Sequence, residues 1–105
     1  MGIDYKKYSL LLAKILSNLK GIYGKDLLSV ALFGSVARGE AGPTSDIDLL
    51  VITKKLPYEP MQKFLEVLRL LQKDPEFIKL RKEGLWPDPY PLFLNEEELS
   101  KRSLI

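Results

Sequence analysis

Two short apolar runs, residues 27–33 and 47–52, frame the stretch that most constrains this chain. Gly34-Ser35 follows the first run at once, and the second is entered through Asp46 and Asp48, one residue apart. Runs of this length, rich in Leu, Val and Ile, read as strands, the second as a central strand. The first, with Ser29 its only polar member, is expected to be buried on both faces. A glycine directly after a strand reaches backbone angles closed to bulkier residues and lets another group approach the main chain. Val36, Ala37 and Arg38 suffice for one helical turn, and Gly39 suits its C-terminal end. The N–H groups that open such a turn lack intrahelical partners and favour an anion such as phosphate.

The aspartates form the other half of the pattern. Side chains alternate along a strand, so Asp46 and Asp48 share a face while Ile47, Leu49 and Val51 point into a core. Leu50 and Ile52 follow on the aspartates' own face, which is therefore covered further along. Two carboxylates at the open end of a buried strand repel each other and call for a cation. Hard cations with oxygen ligands, Mg²⁺ above all, suit that donor set. A phosphate cradle beside a carboxylate pair points to a nucleoside triphosphate with Mg²⁺.

The order Gly34-Ser35, then Asp46-Ile47-Asp48, resembles the signature of the nucleotidyltransferase superfamily that includes DNA polymerase beta. The wording GSVARGEAGPTSDIDLLV and the short chain resemble the minimal, antitoxin-like nucleotidyltransferases of archaea and bacteria. The resemblance is specific over residues 32–52; elsewhere only the order of elements fits. It implies that Gly34 and Ser35 hold the triphosphate and that Asp46 and Asp48 bind metal and are catalytic. A third carboxylate on a later strand would complete the site.

Composition narrows the chemistry. With 105 residues the chain fits one small domain, here taken as 1–105. Sixteen basic and 14 acidic residues leave a charge of only +2, too little for a polyanion-binding field. Long nucleic acid is therefore disfavoured as acceptor. Without Cys there are no disulfides or thiolate metal sites, and without His the commonest general base is missing. No apolar run reaches the ~18 residues of a membrane span, and the N-terminus lacks a signal-peptide pattern, so a cytoplasmic protein is expected.

Along the chain, residues 4–22 read as an amphipathic helix on the spacing of Leu11, Leu12, Ile15, Leu16, Leu19 and Ile22, with Asp4 as a cap. Ser45 has two roles open, a bond to phosphate or the end of its loop. Arg38 likewise can reach a triphosphate, the favoured role, or pair with Glu40. Tyr58-Glu59-Pro60 opens another helix with Phe64, Val67, Leu68 and Leu71 as its apolar stripe. A shorter helix is expected over residues 76–82, ended by Gly84. Three prolines keep residues 86–91 extended, leading to a short edge strand over 90–94 that tolerates Pro91. Trp86 reads as a packing residue rather than a base platform. Asn95 and Glu98 form a capping box for a last helix over 96–102. The order α-β-α-β-α-β-α predicts a small α/β (α+β) domain with a three-stranded mixed sheet, which is the nucleotidyltransferase fold that the resemblance implies.

One feature departs from the family. The third strand, Tyr90-Pro91-Leu92-Phe93-Leu94, carries no carboxylate; Asp88 lies just before it and Glu96 just after. Asp88 is the candidate third carboxylate. The chain is expected to bind ATP or another nucleoside triphosphate with Mg²⁺ and to transfer a nucleotidyl group, AMP from ATP, to a hydroxyl, slowly when alone. A protein hydroxyl is the favoured acceptor. The rival expectations are an antitoxin that pairs with a helical, HEPN-like toxin, and a degenerate nucleotide-binding domain. Homo-oligomerisation stays open.

Overall fold

A computed structural model describes residues 2–54 and 58–98. In chain order its elements are α1 (Ser9–Tyr23), a 3₁₀ turn (Gly24–Asp26), β1 (Leu27–Phe33), α2 (Gly34–Arg38), β2 (Ile47–Thr53), α3 (Tyr58–Leu71), α4 (Pro75–Lys82) and β3 (Pro89–Asn95). The strands lie in the order β1-β2-β3, with β1 antiparallel and β3 parallel to β2. The mixed three-stranded sheet therefore has β2 at its centre, and Pro91 sits on an edge strand.

The β2 residues Ile47, Leu49 and Val51 form the middle of the core, each at most 3% exposed. Leu11, Ile15 and Leu19 of α1 pack into the same cluster, with Phe64, Val67 and Leu71 of α3 and Phe77 and Leu80 of α4. These apolar residues recur every three or four positions, so each helix turns one stripe toward the sheet. Phe93 fixes β3 to both long helices. Its ring meets Phe64 edge-on at 5.8 Å between centroids and Tyr23 at 6.2 Å. The Tyr23 hydroxyl donates to the Pro60 carbonyl, tying α1 to α3, and burial pushes its pKa far up.

Among the described residues the core cluster, with the apolar stripes of α1, α3 and α4, lies on the Ile47–Leu49–Val51 face of the sheet, and this corrects the reading of β1 as buried on both faces. Val30 and Leu32 are partly buried against the core, whereas Leu28, Ser29, Ala31 and Phe33 are exposed. The physical reason is position: β1 is an edge strand, and the core cluster lies against only one of its faces. A register shift between Leu27 and Ser29 further separates Leu28 from the ladder. The first helix also starts later than the expected residue 4. Residues 5–8 form successive turns instead, and Asp4 Oδ1 accepts the Lys6 N–H at 2.9 Å. Asp4 thus caps the turn that leads into α1.

The expected capping box is present. Asn95 Oδ1 accepts the Glu98 N–H at 2.7 Å, and Glu98 Oε1 accepts the Asn95 N–H at 3.2 Å. Helical backbone follows at residues 96–98, and the remainder of the expected last helix lies outside the described residues.

Asp74 closes the far end of the helical layer. It caps α4 by accepting the Glu76 N–H at 2.8 Å and receives Lys14 Nζ of α1 at 3.0 Å. Desolvation pushes its pKa up, but the hydrogen bonds from Lys14 and the helix N–H groups outweigh this and hold it below its ordinary value. The fold thus favours the charged form. That contribution is present above the ordinary aspartate range and is lost as pH falls through it. Asp74→Ala is expected to destabilise the domain by about 1 kcal/mol at neutral pH, the usual loss of an N-cap. In denaturant titrations run at several pH values, the gap between variant and parent should narrow below about pH 4.

Candidate nucleotide site

The two halves of the sequence motif meet at one atom-scale contact. β1 ends at Phe33, which is the register partner of Asp48 on β2. The next residue, Gly34, has φ of +76°, in the region that side chains rarely adopt. A Cβ built on Gly34 would lie 2.1 Å from Asp48 Oδ2 and 2.9 Å from its Cγ. The Asp48 carboxylate therefore rests in space that exists because residue 34 has no side chain.

From Gly34 the chain makes the single helical turn α2, anchored by Val36, which is fully buried. Gly39 ends it in the left-handed conformation, its N–H directed at the carbonyls of Ser35 and Val36. Ser35 is half-buried, and its carbonyl also accepts the Glu40 N–H at 2.8 Å.

The loop that joins α2 to β2 is held at three places. Ile3 and Ala41 exchange main-chain hydrogen bonds of 2.8 and 3.2 Å in an isolated antiparallel bridge. Ser45 Oγ accepts the Gly42 N–H at 2.9 Å, and Ser45 N–H donates to the Gly42 carbonyl at 3.1 Å. The Trp86 N–H donates to the Pro43 carbonyl at 2.8 Å. Of the two roles open to Ser45, the structure displays the turn-closing one. Arg38 similarly makes its surface pair: Nε donates to Glu40 Oε1 at 2.8 Å, with both side chains more than half exposed.

Asp46 precedes β2 and is exposed, and Asp48 lies inside the strand and is partly buried. Asp88 does not join them. Its carbonyl accepts the Ile47 N–H at 2.9 Å, while its carboxylate faces Arg81 Nη1 at 3.9 Å. Arg81 in turn stacks on Trp86, with Cζ 4.4 Å from the ring centroid, and lies 5.7 Å from the Phe77 ring. Among the described residues no group of three or more carboxylates gathers closely enough to hold a metal ion. The donor set is thus two carboxylates at a strand entrance. It fits Mg²⁺, which keeps several waters and commonly takes one or two protein carboxylates plus substrate phosphates.

Sequence reasoning missed two residues. Arg81, from α4, organises Trp86 and Asp88. Tyr90 is the register partner of Asp48 on β3, is 62% exposed, and stands on the same sheet face as Asp48. Neither was visible from local pattern, because each is placed by contacts between distant parts of the chain.

The Gly-Ser turn after β1 thus lies beside two aspartates at the entrance of the central strand, Asp46 just before it and Asp48 within it. The chain belongs to the nucleotidyltransferase domain family, which matches residues 12–103. Two proteins of Methanocaldococcus jannaschii are similar to parts of it, and both carry provisional names as protein adenylyltransferases. MJ1305 is 49% identical over 55 residues, covering 52% of this chain and 37% of that protein. MJ1379 is 44% identical over 45 residues, covering 43% and 45% respectively. The matches thus span less than half the length of either relative. No solved structure matches the chain. Among the described residues no helix is long and apolar enough to cross a membrane.

Proposed function

We propose that this domain binds ATP with Mg²⁺ and transfers AMP to a hydroxyl group of a protein. The observation that carries the reading is the contact of Gly34 with Asp48, which brings the phosphate-side turn and the carboxylate pair into one site. The main chain of Gly34 and Ser35, with the Arg38 guanidinium, would hold the phosphates. Arg38 is exposed and would exchange Glu40 for phosphate; Ser45 would keep the loop in shape. Asp46 and Asp48 would hold Mg²⁺, which supplies charge neutralisation of the phosphates when bound. The residues of the chain then act by positioning the α-phosphate and by leaving one side of it open to the acceptor oxygen.

Protein as acceptor agrees with two features. The net charge is only +2. The sheet face beside Asp48 carries Ala31, Phe33 and Leu92 as exposed apolar residues, a surface unlike a nucleic-acid groove. A second reading, contact with a helical toxin-like partner, is favoured by the hollow between α3 and β3. Met61, Phe64, Leu65, Leu68, Pro89 and Tyr90 line it. The test is incubation of the domain, Mg²⁺ and candidate partner proteins with ATP labelled on either the α- or the γ-phosphate. Protein-bound label from the α-position alone is the expected result. Label from the γ-position, or none from either, would overturn adenylyl transfer.

A further inference from the structure

We propose that Tyr90 is itself an acceptor: the domain adenylylates its own Tyr90 in cis. The inference rests on the adenylyl-transfer reading above and names a substrate for the same site. The strand order places three groups in a row across one face. Gly34 and Ser35 follow β1, Asp48 is on β2, and Tyr90 is on β3, with Phe33, Asp48 and Tyr90 in register. Adjacent strands are about 4.8 Å apart, so the row spans roughly 10 Å, the scale of a bound triphosphate and its acceptor. Phosphates held at the Gly34-Ser35 end put the leaving pyrophosphate on the β1 side of Asp48. Phosphoryl-type transfer needs the attacking oxygen roughly in line with the leaving one, hence on the β3 side. Tyr90 is the residue that β3 supplies at that register position.

Its accessibility suits the role. Tyr90 is 62% exposed, and by register it stands on the sheet face of Asp48, opposite the core residue Phe93, so core packing does not lock it. Tyr8, just before α1, and Tyr23, at its end, are by contrast buried, at 0% and 3% exposure. In the step, Tyr90 Oη bonds to the α-phosphorus of ATP while the bond from that phosphorus to the bridging oxygen breaks. Pyrophosphate leaves with the bonding pair, and the phenol proton passes to solvent at the exposed hydroxyl. The product is a phosphodiester that occupies the acceptor side, so modification stops at one adenylyl group per chain.

The test uses the purified chain with ATP and Mg²⁺, followed by intact-mass analysis and peptide mapping. In parallel, calorimetry measures binding of a non-hydrolysable ATP analogue to the parent and to Tyr90→Phe. The expected result is a mass gain of one adenylyl group on Tyr90, at a rate independent of protein concentration, with no gain in Tyr90→Phe. The two proteins should bind the analogue within about twofold of each other, because the phenyl ring is retained. Analogue binding with no mass gain, a gain mapped elsewhere, or a rate that rises with protein concentration would overturn self-modification in cis while sparing the nucleotide site. Absence of analogue binding by the parent would overturn both.

Discussion

Replacing Asp46 and Asp48 together with asparagine is expected to abolish Mg²⁺-dependent nucleotide binding while leaving the domain folded. Asparagine keeps the shape of the side chain and removes the charge that a hard cation requires. Loss of outer partners of metal ligands alone weakens metal sites by roughly 10–100-fold, so loss of both direct ligands should exceed about a hundredfold. Asp46 is exposed and Asp48 only partly buried, so the fold gains little from either carboxylate. Relief of their mutual repulsion should leave the metal-free unfolding midpoint unchanged or raised. Calorimetry with Mg²⁺ and again with a chelator separates the effects. Chelation should bring the parent down to the variant and do nothing further to the variant. Unchanged Mg²⁺-dependent affinity in the double variant would remove these aspartates from the metal site.

Gly34→Val should be the most damaging single change at the site. It places a β-branched residue at φ of +76°, a strain of about 1–3 kcal/mol, and drives a Cβ to within 2.1 Å of Asp48 Oδ2. Asp48 must then leave the position it holds, so one substitution disables both halves of the motif. The first carbon does most of this, and Gly34→Ala should therefore share most of the binding defect. Ser35→Ala removes only a hydroxyl, worth about 1 kcal/mol as a neutral hydrogen bond. The expected order of ATP dissociation constants is parent, Ser35→Ala, then the two Gly34 variants well above. A Gly34→Ala variant that binds like the parent would show that the contact with Asp48 does not shape the site.

Much of this architecture was legible because it is local. The range of β1, the single turn at Val36–Arg38 closed by Gly39, the alternation of Ile47, Leu49 and Val51, and the capping box of Asn95 and Glu98 all follow from short-range spacing. What was not legible depends on pairing between distant segments. An apolar run looks the same whether one or both faces are covered, so the run of β1 alone reads as buried on both faces. The carboxylate of Asp88 faces Arg81 because α4 passes beside the proline-rich approach to β3, a fact of packing rather than of spacing. The register of β3 on β2, which sets Tyr90 rather than Leu92 opposite Asp48, is likewise absent from either strand alone. The residue pattern for Gly34 was visible, but its reason was only half seen: the glycine makes room for Asp48 as well as for a ligand.

The loop between α2 and β2 has a thermodynamic consequence. Its Ile3–Ala41 bridge, Ser45 turn and Trp86–Pro43 hydrogen bond recruit three well-separated parts of the sequence to immobilise residues that flank the site. A loop so tethered surrenders its conformational freedom when the domain folds, not when a ligand arrives. Fixing a residue's backbone costs about 1–2 kcal/mol, and a flexible loop would impose that penalty on every binding event. Affinity at Asp46 and Asp48 is thereby made partly a property of Ile3, a residue outside the motif that is bridged to Ala41. Loosening that strut should surface as a more unfavourable binding entropy with the enthalpy of the contacts largely kept.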